Sequence, residues 1–193
     1  MTRSEGGRMT IPFRTSDPVA EGLAAFLRVI PYPEGNGYDG VLFVMSGTGE
    51  PVDFCFSSVE TPRTALWRKR DLARRSTVEL ARSLMQVCSS TPLLVLTRAE
   101  EVGPDVFTSE LSLGIPVCRV ASTLALAVVA PDEHEEALAG GELHLFWSIA
   151  PPADGEPARR LLDRLAASDL IIEPFERAEA GLREVKTGEA GQT

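Results

Sequence analysis

Short apolar runs alternate with polar, Gly- and Pro-containing stretches along most of the chain, and their lengths set the first expectations. Ala25 to Ile30 is apolar apart from Arg28 and is closed by Pro31. Val41 to Met45 is continuously apolar, as a strand buried on both faces should be. In Val52 to Ser57, Phe54 and Phe56 fall on one face, and Asp53, Cys55 and Ser57 on the other. The Ser46-Gly-Thr-Gly-Glu50 segment between the last two runs reads as a hairpin turn. The three runs together predict an antiparallel meander.

The pattern then becomes helical. Thr61 and Pro62 suit a helix start, and Ser76-Thr-Val-Glu79 has the form of a capping box. Two helices, or one kinked helix, are therefore expected over 62–74 and 77–88. Leu93 to Leu96, Val117 to Val120, Leu124 to Ala130 and Leu143 to Ile149 read as further strands. Glu100 to Leu111 reads as weakly helical and Asp132 to Leu138 as a short helical turn. Pro157 to Ala167 and Glu173 to Val185 complete the helices. The expected fold is α/β (or α+β), with a single mixed sheet beginning in the three-stranded meander and helices packed on it. Residues 17–186 are expected to form one domain, with residues 1–16 and 187–193 as mobile tails.

Composition bounds the function classes. The chain has 193 residues, 44% hydrophobic and 24% charged, enough for a sizeable core. No apolar run has the ~20 residues of a membrane helix, and no secretory leader is recognisable. Cys55, Cys88 and Cys118 are widely spaced and odd in number, which argues against a disulfide framework or a zinc site and for a reducing cytoplasm. No cofactor motif and no standard metal-binding motif occurs, so neither group is expected.

The net charge of −9 opposes non-specific nucleic-acid binding, but its distribution is uneven. Between Pro62 and Ser90 stand Arg63, Arg68, Lys69, Arg70, Arg74, Arg75 and Arg82 against only Asp71 and Glu79. Trp67 lies among them, and aromatic and Arg side chains dominate contact hot spots. Arg63, Trp67, Arg68, Arg70, Arg74 and Arg75 are therefore the candidate binding residues. The competing explanation is internal pairing with surplus carboxylates such as Glu173, Glu176 and Glu179.

Catalytic patterns are sparse. Asp132 to Glu136 with His144 matches no standard ligand spacing and reads as a solvated turn. No Gly-x-Ser-x-Gly elbow occurs, and Cys55 reads more readily as a small buried side chain than as a nucleophile. Meander, helix, strand, helical stretch and strand in succession, over residues 24–120, is similar to the arrangement of ribonuclease-H-like folds. That resemblance implies carboxylates converging on two metal ions. Asp39, Asp53 and Glu60 are the nearby candidates, yet the first strand holds Arg28 and no acid, so the resemblance implies a lost active site.

Three functions follow in order. The first is a non-catalytic accessory subunit of a larger bacterial-type cytoplasmic assembly, contacting a protein or nucleic-acid partner through the Arg-rich segment. The second is a metal-dependent nuclease or hydrolase using Asp39, Asp53 and Glu60. The third is a nucleic-acid-binding module.

Overall fold

The computed structural model describes residues 4–9, 11, 22–61, 66–122, 129–138 and 142–190. Among the described residues, eight strands form one mixed sheet: β1 (Ser4–Arg8), β2 (Leu23–Pro31), β3 (Gly37–Ser46), β4 (Pro51–Glu60), β5 (Leu94–Arg98), β6 (Val117–Ala121), β7 (His134–Ala137) and β8 (His144–Trp147). Within the same residues three α-helices accompany them: α1 (Lys69–Val87), α2 (Pro157–Ala167) and α3 (Glu173–Ala190). The spatial order is β1-β4-β3-β2-β5-β6-β8-β7. The meander is antiparallel, β2, β5 and β6 run parallel, and β8 and β7 return antiparallel.

The continuous apolar strands are explained by two cores. Ala24, Phe26, Val41, Phe43, Met45 and Phe54 pack under α2 and α3, against Leu162, Phe175, Ala178 and Leu182. The alternate residues Ala25, Leu27, Leu42, Val44 and Cys55 pack under α1, against Leu80, Ala81 and Leu84. Central strands are thus apolar at every position because both faces are covered. Gly181 lets α3 approach the sheet closely, since a Cβ there would come within 2.7 Å of the Phe54 ring.

The structure departs from the expected elements in four places. Helix α1 is one unbroken helix from Lys69 to Val87, not two. Ser76 and Thr77 are buried against the sheet rather than capping, and the Thr77 hydroxyl donates to the Ala73 carbonyl, so the ladder runs on. Residues 134–137 form an edge strand instead of a helical turn, because β8 offers an open ladder that its polar residues cover while facing solvent. Val106 to Glu110 makes a single π-helical turn where a weak helix was expected. Both expected tails contribute structure: β1 pairs with β4, and α3 continues to Ala190. Gly7 in β1 leaves the space taken by the Phe56 ring, which a Cβ would meet at 2.3 Å. The strand expected over 124–130 falls mostly on residues outside the described set. Among the described residues, no helix is long and apolar enough to cross a membrane.

Candidate functional site at the carboxyl edge of the sheet

Strand β2 pairs antiparallel with β3 on one side and parallel with β5 on the other. In open α/β sheets ligands bind beyond the carboxyl ends of strands at such a switch in order. Residues 28–31 of β2, the turn following β5, Glu60 of β4 and the first turn of α1 all gather at this edge.

At its centre lies Arg28, which is 6% exposed. Its Nη2 meets Glu101 Oε1 at 2.6 Å, and its Nε donates to Glu101 Oε2 at 3.0 Å. Its Nη1 donates to Glu179 Oε2 and to the Phe175 carbonyl, each at 3.0 Å. The Val29 amide donates to Glu101 Oε2 as well. Burial pushes the Glu101 carboxyl above its ordinary range, while Arg28 and that amide pull it back. Carboxylates from the β5 turn and from α3 therefore converge on one cation, and the protein itself supplies it.

Asp39 on β3 lies nearby on the same face. It accepts from the Ser58 hydroxyl at 2.7 Å and from Lys186 Nζ of α3 at 2.5 Å. Ile30, Pro31, Tyr32, Asp39, Leu182 and Lys186 line a cavity of about 650 Å³ between the β2–β3 hairpin and α3. The Lys186 ammonium also sits 4.8 Å from the Tyr32 ring centre.

The three carboxylates named from sequence do not meet. Asp39 pairs in register with Ser58, whereas Asp53 pairs with Val44. Five residues separate Ser58 from Asp53 on β4, on the order of 17 Å at the usual rise. The two also face opposite sides of the sheet: Asp39 reaches Lys186 of α3, and Asp53 reaches Ser89 just after α1. Glu60 is exposed at the end of β4, where it lines a smaller cavity with Trp67, Leu72, Arg75, Ser76 and Glu79. Two catalytic metal ions need ligands around centres ~4 Å apart, and this trio does not provide them.

The basic segment occupies the same edge. Arg63 is outside the described residues. Leu66 and Trp67 are exposed, at 93% and 46%, and the Arg75 guanidinium lies 5.8 Å from the Trp67 ring centre. Arg68 precedes α1 and is exposed, as are Lys69, Arg75 and Arg82. Because α1 is unbroken, Arg75 and Arg82, seven apart, share its outer face. Arg70 and Arg74 turn the other way, to Asp105 at 3.6 Å and Glu110 at 2.8 Å. Internal pairing therefore exists, but with Asp105 and Glu110 at the two ends of the π-helical turn, not with Glu173, Glu176 or Glu179. Among the described residues, these two are the members of the segment that reach an acidic partner.

The arrangement resembles that in the crystal structure of Endonuclease_V from Bacillus subtilis. It superposes with a TM-score of 0.54 over 93% of this chain and 86% of the other, at 13% identity. The fold is similar to that of Endonuclease V. No family model matches the sequence, and no curated protein does. Within this Endonuclease V-like fold, sequence reasoning missed Glu101 altogether and named Glu179 only as a partner for the Arg-rich segment, not for Arg28. They lie 73 and 151 positions from Arg28. The available signal was Arg28 itself, a charge within a strand otherwise suited to full burial.

The acidic run after residue 131 divides as its exposure dictates. Glu133 is buried and grips Arg119 through both oxygens at 2.7 Å, while Arg119 also donates to the Val102 carbonyl. His144 and Glu135 pair on the surface of β7 and β8, and Glu136 receives the Trp147 indole N–H. These are structural contacts that fasten the far side of the sheet.

Proposed function

We propose that this protein binds nucleic acid at the carboxyl edge of a nuclease-like sheet without cutting it. The observation that carries the reading is Arg28, a buried guanidinium that already neutralises Glu101 and Glu179, carboxylates that would otherwise be free to hold a divalent ion at this edge. Glu101, Glu179 and Asp39 each already hold a cation of the chain. A divalent ion entering here would meet a fixed positive charge, and removing that charge leaves the shielded Glu101 carboxylate without its cation.

Binding is assigned to Arg68, Lys69 and Arg75, with Trp67 as a stacking surface for bases. Positive side chains beside an exposed aromatic ring are the usual equipment for single strands. The acidic remainder of the chain confines the contact to this edge, by repelling phosphates elsewhere. The likeness to an endonuclease supports the choice of nucleic acid over other polyanions. Leu66, exposed beside Trp67, favours a second reading in which the same edge docks a protein partner.

Incubating the chain with a labelled single-stranded oligonucleotide and either magnesium or manganese tests both halves of the proposal. The expected result is a retarded but intact oligonucleotide, with retention lost in the double variant Arg68→Glu/Arg75→Glu. Cleavage that survives repeated purification and disappears with Asp39→Asn or Glu101→Gln would overturn it.

A further inference from the structure

The amino edge of the sheet carries a second cluster. Cys55 points from β4 towards α1 and is fully buried, and Cys88, which caps the end of α1, is half-buried. The donor atoms of Asp53, Cys55 and Cys88 all lie within 4.8 Å of one another. Two thiolates and a carboxylate are ligands that a soft divalent ion accepts. The hydrogen bonds of Asp53 decide against that use. Its Oδ1 accepts from Arg8 Nε at 2.7 Å and from the Phe54 amide at 3.0 Å. Its Oδ2 accepts from the Ser89 amide at 3.1 Å and from the Ser89 and Ser90 hydroxyls at 3.0 and 3.3 Å. The carboxylate is saturated, and a guanidinium stands beside it. Cys55 Sγ donates to Asp53 Oδ1 at 3.9 Å, and Cys88 Sγ donates to Asp53 Oδ2 at 3.7 Å and to the Ser90 carbonyl at 3.4 Å, so the two thiols stand side by side on one carboxylate.

We propose that Cys55 and Cys88 are a redox pair that forms a reversible disulfide between β4 and the end of α1. Cys88, nearer to solvent, is the attacking thiol. Its hydrogen bond with Cys55 holds it below the ordinary thiol range; the same contact, with burial, pushes Cys55 up. The oxidant is a small-molecule disulfide. Cys88 thiolate attacks one of its sulfurs, the S–S bond breaks, and one thiolate leaves, giving a mixed disulfide on Cys88. Cys55 then passes its proton to the departing thiolate and attacks Cys88 Sγ, releasing the second small thiol. Two protein thiols are oxidised by two electrons in all, and one small disulfide is reduced to two thiols. The bond closes a loop between residues 55 and 88 that contains the whole basic segment, and it fastens α1 to the sheet. Cys118, buried between β5 and β8, has no part in it.

The experiment equilibrates the full chain in glutathione buffers of graded ratio, blocks free thiols with N-ethylmaleimide, and reads intact mass and peptide masses. The expected product has lost the mass of two hydrogens and yields a peptide cross-linked through Cys55 and Cys88. It also shows a higher unfolding temperature than the reduced chain, reversed by dithiothreitol. The variant Cys118→Ala should keep the cross-link, and Cys55→Ser should hold glutathione on Cys88. Three free thiols in the most oxidising buffer would overturn the proposal. So would a mixed disulfide that never resolves in the unaltered chain, or stoichiometric zinc binding that requires both thiols.

Discussion

Arg28 and Glu101 form a doubly hydrogen-bonded ion pair under the helices, joining the carboxyl end of β2 to the turn after β5. Both side chains are almost wholly shielded, at 8% and 13% exposure. Breaking such a pair strands a charge in a poor solvent. Arg28→Met should lower stability by about 3–5 kcal/mol, and Arg28→Met/Glu101→Gln should recover much of the loss. Urea unfolding of the three proteins, compared at equal slope, checks this. Equal stability of Arg28→Met and the unaltered chain would show that the pair contributes nothing.

Asp53 predicts an acid limb. Burial alone would raise its carboxyl, but the hydrogen bonds from Arg8 and Ser89 outweigh it and hold the group below its ordinary range. A depressed folded-state value means that the stabilisation is complete above the unfolded value. It is lost as pH falls through the folded value, a window that opens below about pH 4. Glu101 has the opposite sign: its raised value favours the folded state on the acid side, and that contribution fades as pH rises through the folded value. Asp53→Asn should therefore flatten the loss of stability below about pH 4. Thermal unfolding across pH follows it, and an unchanged acid limb would contradict the assignment.

Gly181 sits in the interior of α3, where Ala would ordinarily be the better helix former by ~1 kcal/mol. Here the added methyl would meet the Phe54 ring at 2.7 Å. Gly181→Ala should destabilise by about 1–3 kcal/mol, the reverse of the propensity. A melting temperature at or above that of the unaltered chain would show that α3 yields freely.

The sequence carried the meander and α2 because both are local. Each strand is a short apolar run ended by Gly or Pro, and Pro157 to Ala167 has its stop and start within itself. Helix α1 was misdivided because Ser76-Thr-Val-Glu79 has identical letters as a cap and as a buried turn; only contact with the sheet separates them. Strand β7 was hidden for a similar reason, since His134-Glu-Glu-Ala137 has no strand pattern of its own and is recruited by the open ladder of β8. The site was the least legible part. Asp39, Asp53 and Glu60 are close in sequence, but a sheet turns neighbours on one strand to opposite faces and spreads them along it. Arg28 with Glu101 and Glu179, and Cys55 with Cys88, are meetings made by topology alone.

Arg68, Lys69 and Arg75 are the charges assigned to phosphate contact at the carboxyl edge. Fluorescence anisotropy of a labelled single-stranded oligonucleotide, titrated at several salt concentrations, tests that assignment most directly. Three neutralised phosphates predict a log–log salt slope of about −2, collapsing towards zero in Arg68→Glu/Arg75→Glu. Binding that is absent at low salt, or that is unchanged by that double substitution, would contradict the account.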